Sequence, residues 1–313
     1  MSGFRNEFSR CCQFCLCKLK LGTVFVSQNN EKLRKMKRIL VPVDFSGDSL
    51  KALKFALNLA NHLGTDLRMI HVKKSKKFEI PFHFNEFEDQ IVHTVQEYFE
   101  KLIELHSPAY QVENGVFDFK IRTGSVYREI VNQAKYGDSY LIVMGAYGAS
   151  GFEEFFIGSN AFKVVSNASC PVITVREELS KSGVATILMP FDASNETRKK
   201  IPYVAELAEA CKAKVHVLGV HESSDTAIVG KIEHYMRQAE EYLNEKNIEV
   251  VKDIRKGDNN TTTALEYARE INADLIAIMT EQAETTFSMF FGSYAEQMVN
   301  KSEVPILSVP NWK

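Results

Sequence analysis

The sequence predicts an α/β chain of two tandem domains, each a doubly wound, five-stranded parallel sheet covered by helices on both faces. Three observations predict it. First, the chain repeats itself: "RILVPVDFSGDSLKALKFALNLANHLGTDLRMIHV", Arg38 to Val72, aligns without a gap on "TILMPFDASNETRKKIPYVAELAEACKAKVHVLGV", Thr186 to Val220, at a constant offset of 148. That register sets Asp44 opposite Asp192 and Val72 opposite Val220. The closing segments "PVITV" from Pro171 and "PILSV" from Pro305 match at an offset of 134, so the middle of the first half is the longer one. Second, short apolar runs of buried-strand type alternate with helical periodicity, the pattern of a parallel sheet layered with helices. Third, 313 residues exceed what one core usually fills, so two cores are expected.

The elements follow in order. "ILVPV" at Ile39 is the first strand. From Ser49 to Leu63, Leu50, Leu53, Ala56, Leu57 and Ala60 fall at helical intervals, and Gly64 ends the helix as a left-handed cap would. "LRMIHV" is the second strand. Phe84, Phe87, Ile91, Val95, Leu102 and Leu105 draw a second apolar helical stripe. "FDFKI", "YLIVM" and "PVITV" complete five strands, with a helix after Gly158. In half two, Ile228, Ile232, Tyr235, Ala239 and Leu243 form the matching amphipathic stripe. Right-handed crossovers make each half Rossmann-like, and ligands of such sheets bind beyond the carboxyl ends of the strands, where the winding reverses. Asp44, Val72 and Gly145 all stand at such ends. Each closing strand is the last of its half, a candidate edge, and proline at its start suits an edge.

Composition limits the function. A net charge of -2 with 25% charged residues argues against nucleic acid as a partner. No apolar run reaches the roughly 18 to 20 residues that cross a bilayer, so no membrane span is expected. Cys11, Cys12, Cys15 and Cys17 crowd the first twenty residues, but only Cys12 and Cys15 have the Cys-x-x-Cys interval and no second pair follows, so neither a disulfide framework nor a metal site is expected. Lys18 and Lys20 interrupt that stretch, against a signal peptide. "MKRILVPVDFS" begins at a second methionine, Met36, directly before the first strand. The expected organisation is therefore a tail over 1–35, disordered or with a mis-assigned start, a first domain over 36–180 and a second over 181–313.

The chemistry concentrates in "MGAYGASGFEEFFIGSNAF", Met144 to Phe162. Gly145-x-x-Gly148, nine residues, then Gly158-Ser159 lie between a strand and a helix. Backbone without Cβ atoms can turn its amides onto a bulky anion, and the helix start adds the amides of Ser159, Asn160 and Ala161 with the positive end of the helix dipole. Phosphate oxygens fit that arrangement. The Ser159 hydroxyl can cap the helix or donate to phosphate.

With "ILVPVDFS", "MIHV", the Gly145-Ala-Tyr-Gly148 frame, Gly158-Ser159 and "CPVITV" in this order, residues 36–313 resemble two tandem domains of the universal stress protein family. The resemblance implies a five-stranded parallel sheet and, where the glycine frame is complete, bound ATP. It implies Pro42, Val43, Asp44 and Val72 around the adenosine, and Met144, Gly145, Gly148, Gly158, Ser159 and Asn160 around ribose and phosphates. It also implies that Val172–Val175 and Ile306–Val309 pair inside the chain, imitating a homodimer, while a homodimer of whole chains stays open. Asp44 has a physical case of its own, as a carboxylate at a strand's end; the competing reading is a helix cap before Ser46.

Half two departs from the frame. Asp192, Val220, Gly292 and Ser293 persist, but Met279 takes the place of Gly145 and Gln282 that of Gly148, so weak ATP binding or none is expected there. Walker, G-x-G-x-x-G and G-x-S-x-G signatures are absent. His71 and His221, near strand ends, read more readily as core imidazoles than as catalytic bases. Glu153 and Glu154 could offer oxygen ligands for Mg²⁺ beside phosphates but read more readily as solvated loop carboxylates. The function expected is a cytoplasmic, stress-responsive ATP sensor or regulator rather than an enzyme. The alternatives are a slow ATPase or self-phosphorylating protein, and a nucleotide-free interaction module.

Overall fold

Local signals in the sequence set the first crossover. In the computed structural model, which describes residues 37–73, 94–147, 157–176, 183–280 and 293–311, the apolar run Arg38–Pro42 forms β1 and the helix α1 spans Gly47–Leu63. The Ser46 hydroxyl accepts from the Ser49 amide at 3.2 Å, and Gly64 closes the helix at φ 63°, a conformation open to glycine at little cost. β2 covers Asp66–Lys73. α2, Val95–His106, starts at Thr94, whose hydroxyl accepts from the Glu97 amide at 3.0 Å. The half continues through β3 (Phe117–Thr123), α3 (Val126–Tyr136), β4 (Ser139–Gly145), α4 (Ser159–Asn167) and β5 (Val172–Val175).

Half two repeats the order: β6 (Thr186–Phe191), a 3₁₀ segment (Glu196–Lys200) leading into α5 (Ile201–Cys211), β7 (Lys214–His221), α6 (Thr226–Asn244), β8 (Val250–Lys256), α7 (Asn260–Glu270), β9 (Leu275–Thr280), α8 (Ser293–Lys301) and β10 (Ile306–Pro310). Among the described residues, no helix is long and apolar enough to cross a membrane.

One sheet of ten strands runs through both halves in the order β3-β2-β1-β4-β5-β10-β9-β6-β7-β8. Pairing is parallel within each half. At the junction β5 meets β10 antiparallel, with Ile173 opposite Leu307 and Thr174 opposite Ile306, so the two closing strands join as expected. Each candidate edge is thereby covered by the other.

The expectation of one core per domain is corrected by this junction. The two apolar layers divide by sheet face, and each runs through both halves. One joins Val41 and Met69 to Leu53 and Phe99 and, across the junction, to Val204 and Ala239. The other joins Leu40 and Val72 to Ile130 and Val164, and to Ala264 and Met298. The reason is geometric: once β5 and β10 pair, inward-facing side chains on each face form a single surface, and covering it takes helices from both halves. Polar ties cross the junction as well, since the Tyr140 hydroxyl donates to Glu206 Oε2 at 2.6 Å and Asn300 Oδ1 accepts from the Ile157 amide at 2.6 Å.

Two element readings change. Leu105 is half exposed, not a core contact, because α2 buries the stripe Val95, Tyr98, Phe99 and Leu102 and Leu105 lies at its margin. Phe84, Phe87 and Ile91 lie outside the described residues. α3, which the apolar pattern did not single out, buries Ile130 and Ala134 together with a glutamine, Gln133.

Candidate functional site

The winding of the first half reverses between β1 and β4, neighbours in the sheet with β2 beyond one and β5 beyond the other. Their carboxyl ends carry the residues the sequence singled out. Pro42 closes β1, Val72 lies one residue before the end of β2, and Met144 and Gly145 close β4. Val72 and Met144 belong to the apolar layer that also holds Ile157 and Ala161, the residues flanking the start of α4. Val43 points the other way: its side chain lies in the opposite layer, its amide donates to Ile70 O at 2.9 Å, and its carbonyl accepts from His71 Nδ1 at 2.8 Å.

Asp44 is exposed in the turn after β1. Its Oδ1 accepts from the Ser46 amide at 3.1 Å and from the Ser46 hydroxyl at 2.6 Å. The helix cap is thus Ser46, with Asp44 fixing it from behind. Asp192 repeats the geometry in half two, accepting from the Ser194 amide at 3.0 Å and hydroxyl at 2.6 Å.

Gly158 is the N-cap of α4, and its amide donates to Ala146 O at 2.8 Å, which ties the helix start to the end of β4. The first intrahelical bond runs from Phe162 N–H to Gly158 O at 2.9 Å, so the amides of Ser159, Asn160 and Ala161 precede the ladder. Ser159 and Asn160 are exposed, and the first turn of α4 carries no acidic residue, whereas that of α8 carries Glu296. Gly148, Gly151, Glu153, Glu154, Gln282 and Gly292 lie outside the described residues.

Gly145 has a packing reason to lack a side chain. A methyl group placed there would lie 3.0 Å from the carbonyl carbon and oxygen of Asp48 and 3.1 Å from Asp48 Cβ, so the first turn of α1 rests directly on the end of β4. In half two the same helix start is a 3₁₀ segment, and Met279, partly buried, stands in the glycine's place. The glycine therefore reports helix packing as well as any anion.

The histidines are structural in their contacts. His71 is buried, stacks on Phe45 at 4.6 Å between centroids, and donates from Nδ1 to Val43 O; burial pushes its pKa down, against the pull of that bond and of Asp44. His221 Nδ1 lies 2.7 Å from Ser223 O.

Half two holds a cavity of about 370 Å³ at the corresponding strand ends. Pro190, Asp192, Val220, Ile278, Met279 and Tyr294 line it, and at the two repeat offsets these are the counterparts of Pro42, Asp44, Val72, Met144, Gly145 and Asn160. Six of the ten sequence-derived positions thus have partners converging on one concavity. The sequence reading missed two further lining residues that carry chemistry, Thr197 and Lys200, and gave no weight to Tyr294. The signal for Lys200 was present: at an offset of 148 it replaces Ala52, a fully buried helix residue.

The comparisons agree with this architecture. The universal stress protein family model matches residues 35–176 and 183–310. Universal stress protein YxiE of Bacillus subtilis (strain 168) is 34% identical over 146 residues, covering 44% of this chain and 98% of the relative. A universal stress protein of Methanocaldococcus jannaschii is 32% identical over 159 residues, covering 49% and 88%. The crystal structure of a universal stress protein from Archaeoglobus fulgidus DSM 4304 superposes with a TM-score of 0.68 at 21% identity, covering 89% of this chain and 97% of its own.

Proposed function

The chain belongs to the universal stress protein family, and from that premise we propose that its first half binds ATP at the carboxyl ends of β1 and β4 and that the protein acts as a nucleotide-responsive regulator in the cytoplasm. Nucleotide binding is typical of the family. One observation carries the assignment to half one: α4 presents an acid-free first turn, anchored by Gly158 to the end of β4 and sharing an apolar layer with Val72 and Met144. Free amides and the dipole's positive end favour phosphate there. Pro42, Val72 and Met144 supply an apolar wall for the base, and the Asp44 carboxylate can accept from ribose hydroxyls. Mg²⁺ would enter with the triphosphate, as the counter-ion phosphates ordinarily carry. ATP is held as a ligand and the switch is its occupancy.

The test is Ser159→Glu. A carboxylate in the first turn suits the helix dipole, so stability should hold or rise by a few tenths of a kcal/mol. The same carboxylate would face phosphate at short range, and ATP affinity measured by calorimetric titration should fall at least about tenfold, a cost of about 1.4 kcal/mol. Equal affinity for the variant and the wild type would remove the helix start from the site.

A further inference from the structure

The cavity of half two contains chemistry that its counterpart positions in half one lack. Lys200 is 2% exposed, at the end of the 3₁₀ segment, with Nζ 2.7 Å from Thr197 O and 2.9 Å from Thr197 Oγ1. Two acceptors match the two N–H groups of a neutral amine and leave its lone pair unused. The face of Phe191, with Nζ 4.6 Å from the ring centroid, is the feature that favours the ammonium instead. Tyr294 lines the same cavity, and its covered hydroxyl has no hydrogen-bond partner among the described residues. Asp192 and Glu196 complete the titratable lining. An anionic ligand would meet two carboxylates against one amine. A neutral carbonyl compound would meet a nucleophile and a hydroxyl donor, and the volume lies at the lower end of small-molecule sites.

We propose that half two is a separate site for a small aldehyde, held on Lys200 as an imine. The Nζ lone pair attacks the carbonyl carbon while the Tyr294 hydroxyl donates to the carbonyl oxygen. Transfer of one proton from nitrogen to oxygen gives the carbinolamine. Loss of the second nitrogen proton with the hydroxyl, as water, forms the C=N bond. The sum is amine plus aldehyde to imine plus water, with no change of oxidation state, and hydrolysis reverses it. Burial supports the nucleophile, pushing the Lys200 amine down to about 7 against the raising influence of Asp192. Burial likewise holds the Tyr294 hydroxyl above its ordinary range, so it stays a donor.

The test is reductive trapping on the full chain with propanal and sodium cyanoborohydride at pH 7, followed by peptide mass mapping. Lys200 should be alkylated at least about ten times faster than its exposed neighbour Lys199, since far more of its amine is unprotonated at that pH than for a solvated lysine of pKa about 10.4. Tyr294→Phe should slow Lys200 labelling about threefold or more and leave Lys199 labelling unchanged. Lys200 labelled no faster than Lys199, or at the same rate in Tyr294→Phe as in the wild type, would overturn the proposal. Neither readout depends on ATP binding by half one.

Discussion

Lys200→Met is expected to make the protein more stable at pH 7, by about 2–3 kcal/mol, and to flatten its stability between pH 7 and 10. The folded amine sits at about 7 because burial removes its hydration, while an unfolded lysine titrates near its ordinary value of 10.5. Between those values the unfolded chain binds more protons than the folded one, so wild-type stability rises with pH. The penalty is full below pH 7 and gone above about pH 10.5, amounting to about 5 kcal/mol if the whole shift is realised. Methionine removes it and fills a similar volume, but leaves the Thr197 carbonyl and hydroxyl without their donor, a cost of about 1–3 kcal/mol. The expected gain at pH 7 is the difference, and near pH 10 the order should reverse. Urea unfolding of both proteins at pH 7, 8.5 and 10 reads it, other groups cancelling in the comparison. Parallel stability curves would mean that the amine keeps its charge when folded.

Gly145→Met, which copies the second half into the first, should destabilise the chain by about 3 kcal/mol, and Gly145→Ala by about 1–2 kcal/mol. The cause is the approach of Asp48 main chain to within 3.0 Å of the new Cβ. Backbone in a helix start cannot swing aside as a side-chain tip can. Moving it would also strain the contacts of Lys51, whose Nζ lies 3.0 Å from Asp48 Oδ1 and donates to Arg176 O at 3.1 Å, tying α1 to the end of β5. Urea midpoints measure the loss. A Gly145→Ala protein as stable as the wild type would show that α1 can shift freely, and would leave an approaching anion as the stronger reason for glycine.

How far the sequence discloses this molecule depends on whether a property is local. The inner strands are legible because 39–41, 141–145 and 187–191 are apolar runs buried on both faces, whereas β3 and β8, at the two ends of the sheet, mix charged residues with partly exposed apolar ones. α1 is legible because its cap, Ser46, and its stop, Gly64, are both written beside it. α3 was hidden: "VYREIVNQAKY" buries little beyond Ile130 and Ala134, too few apolar positions to draw a stripe. The division of the core by sheet face went unread even though the β5–β10 pair that causes it was expected from the resemblance, because chain length alone suggested a separate core for each domain. Of the candidate site, the strand-end positions were readable from the repeat, whereas the orientation of Val43 toward the opposite layer follows from the pleat of β1. Gly145 shows how a correct residue can carry more than one reason, because the packing of Asp48 against it spans almost a hundred residues of chain. Lys200 was visible as an oddity against Ala52, but its meaning required the 3₁₀ turn that buries it.

The central claim, one nucleotide site in half one and a different chemistry in half two, is tested most directly by the stoichiometry of ATP binding to the intact chain. Calorimetric titration should give one ATP per chain, with the heat largely lost in Ser159→Glu and unchanged in Lys200→Met. Two equivalents per chain, or binding that disappears with Lys200 and survives in Ser159→Glu, would contradict it.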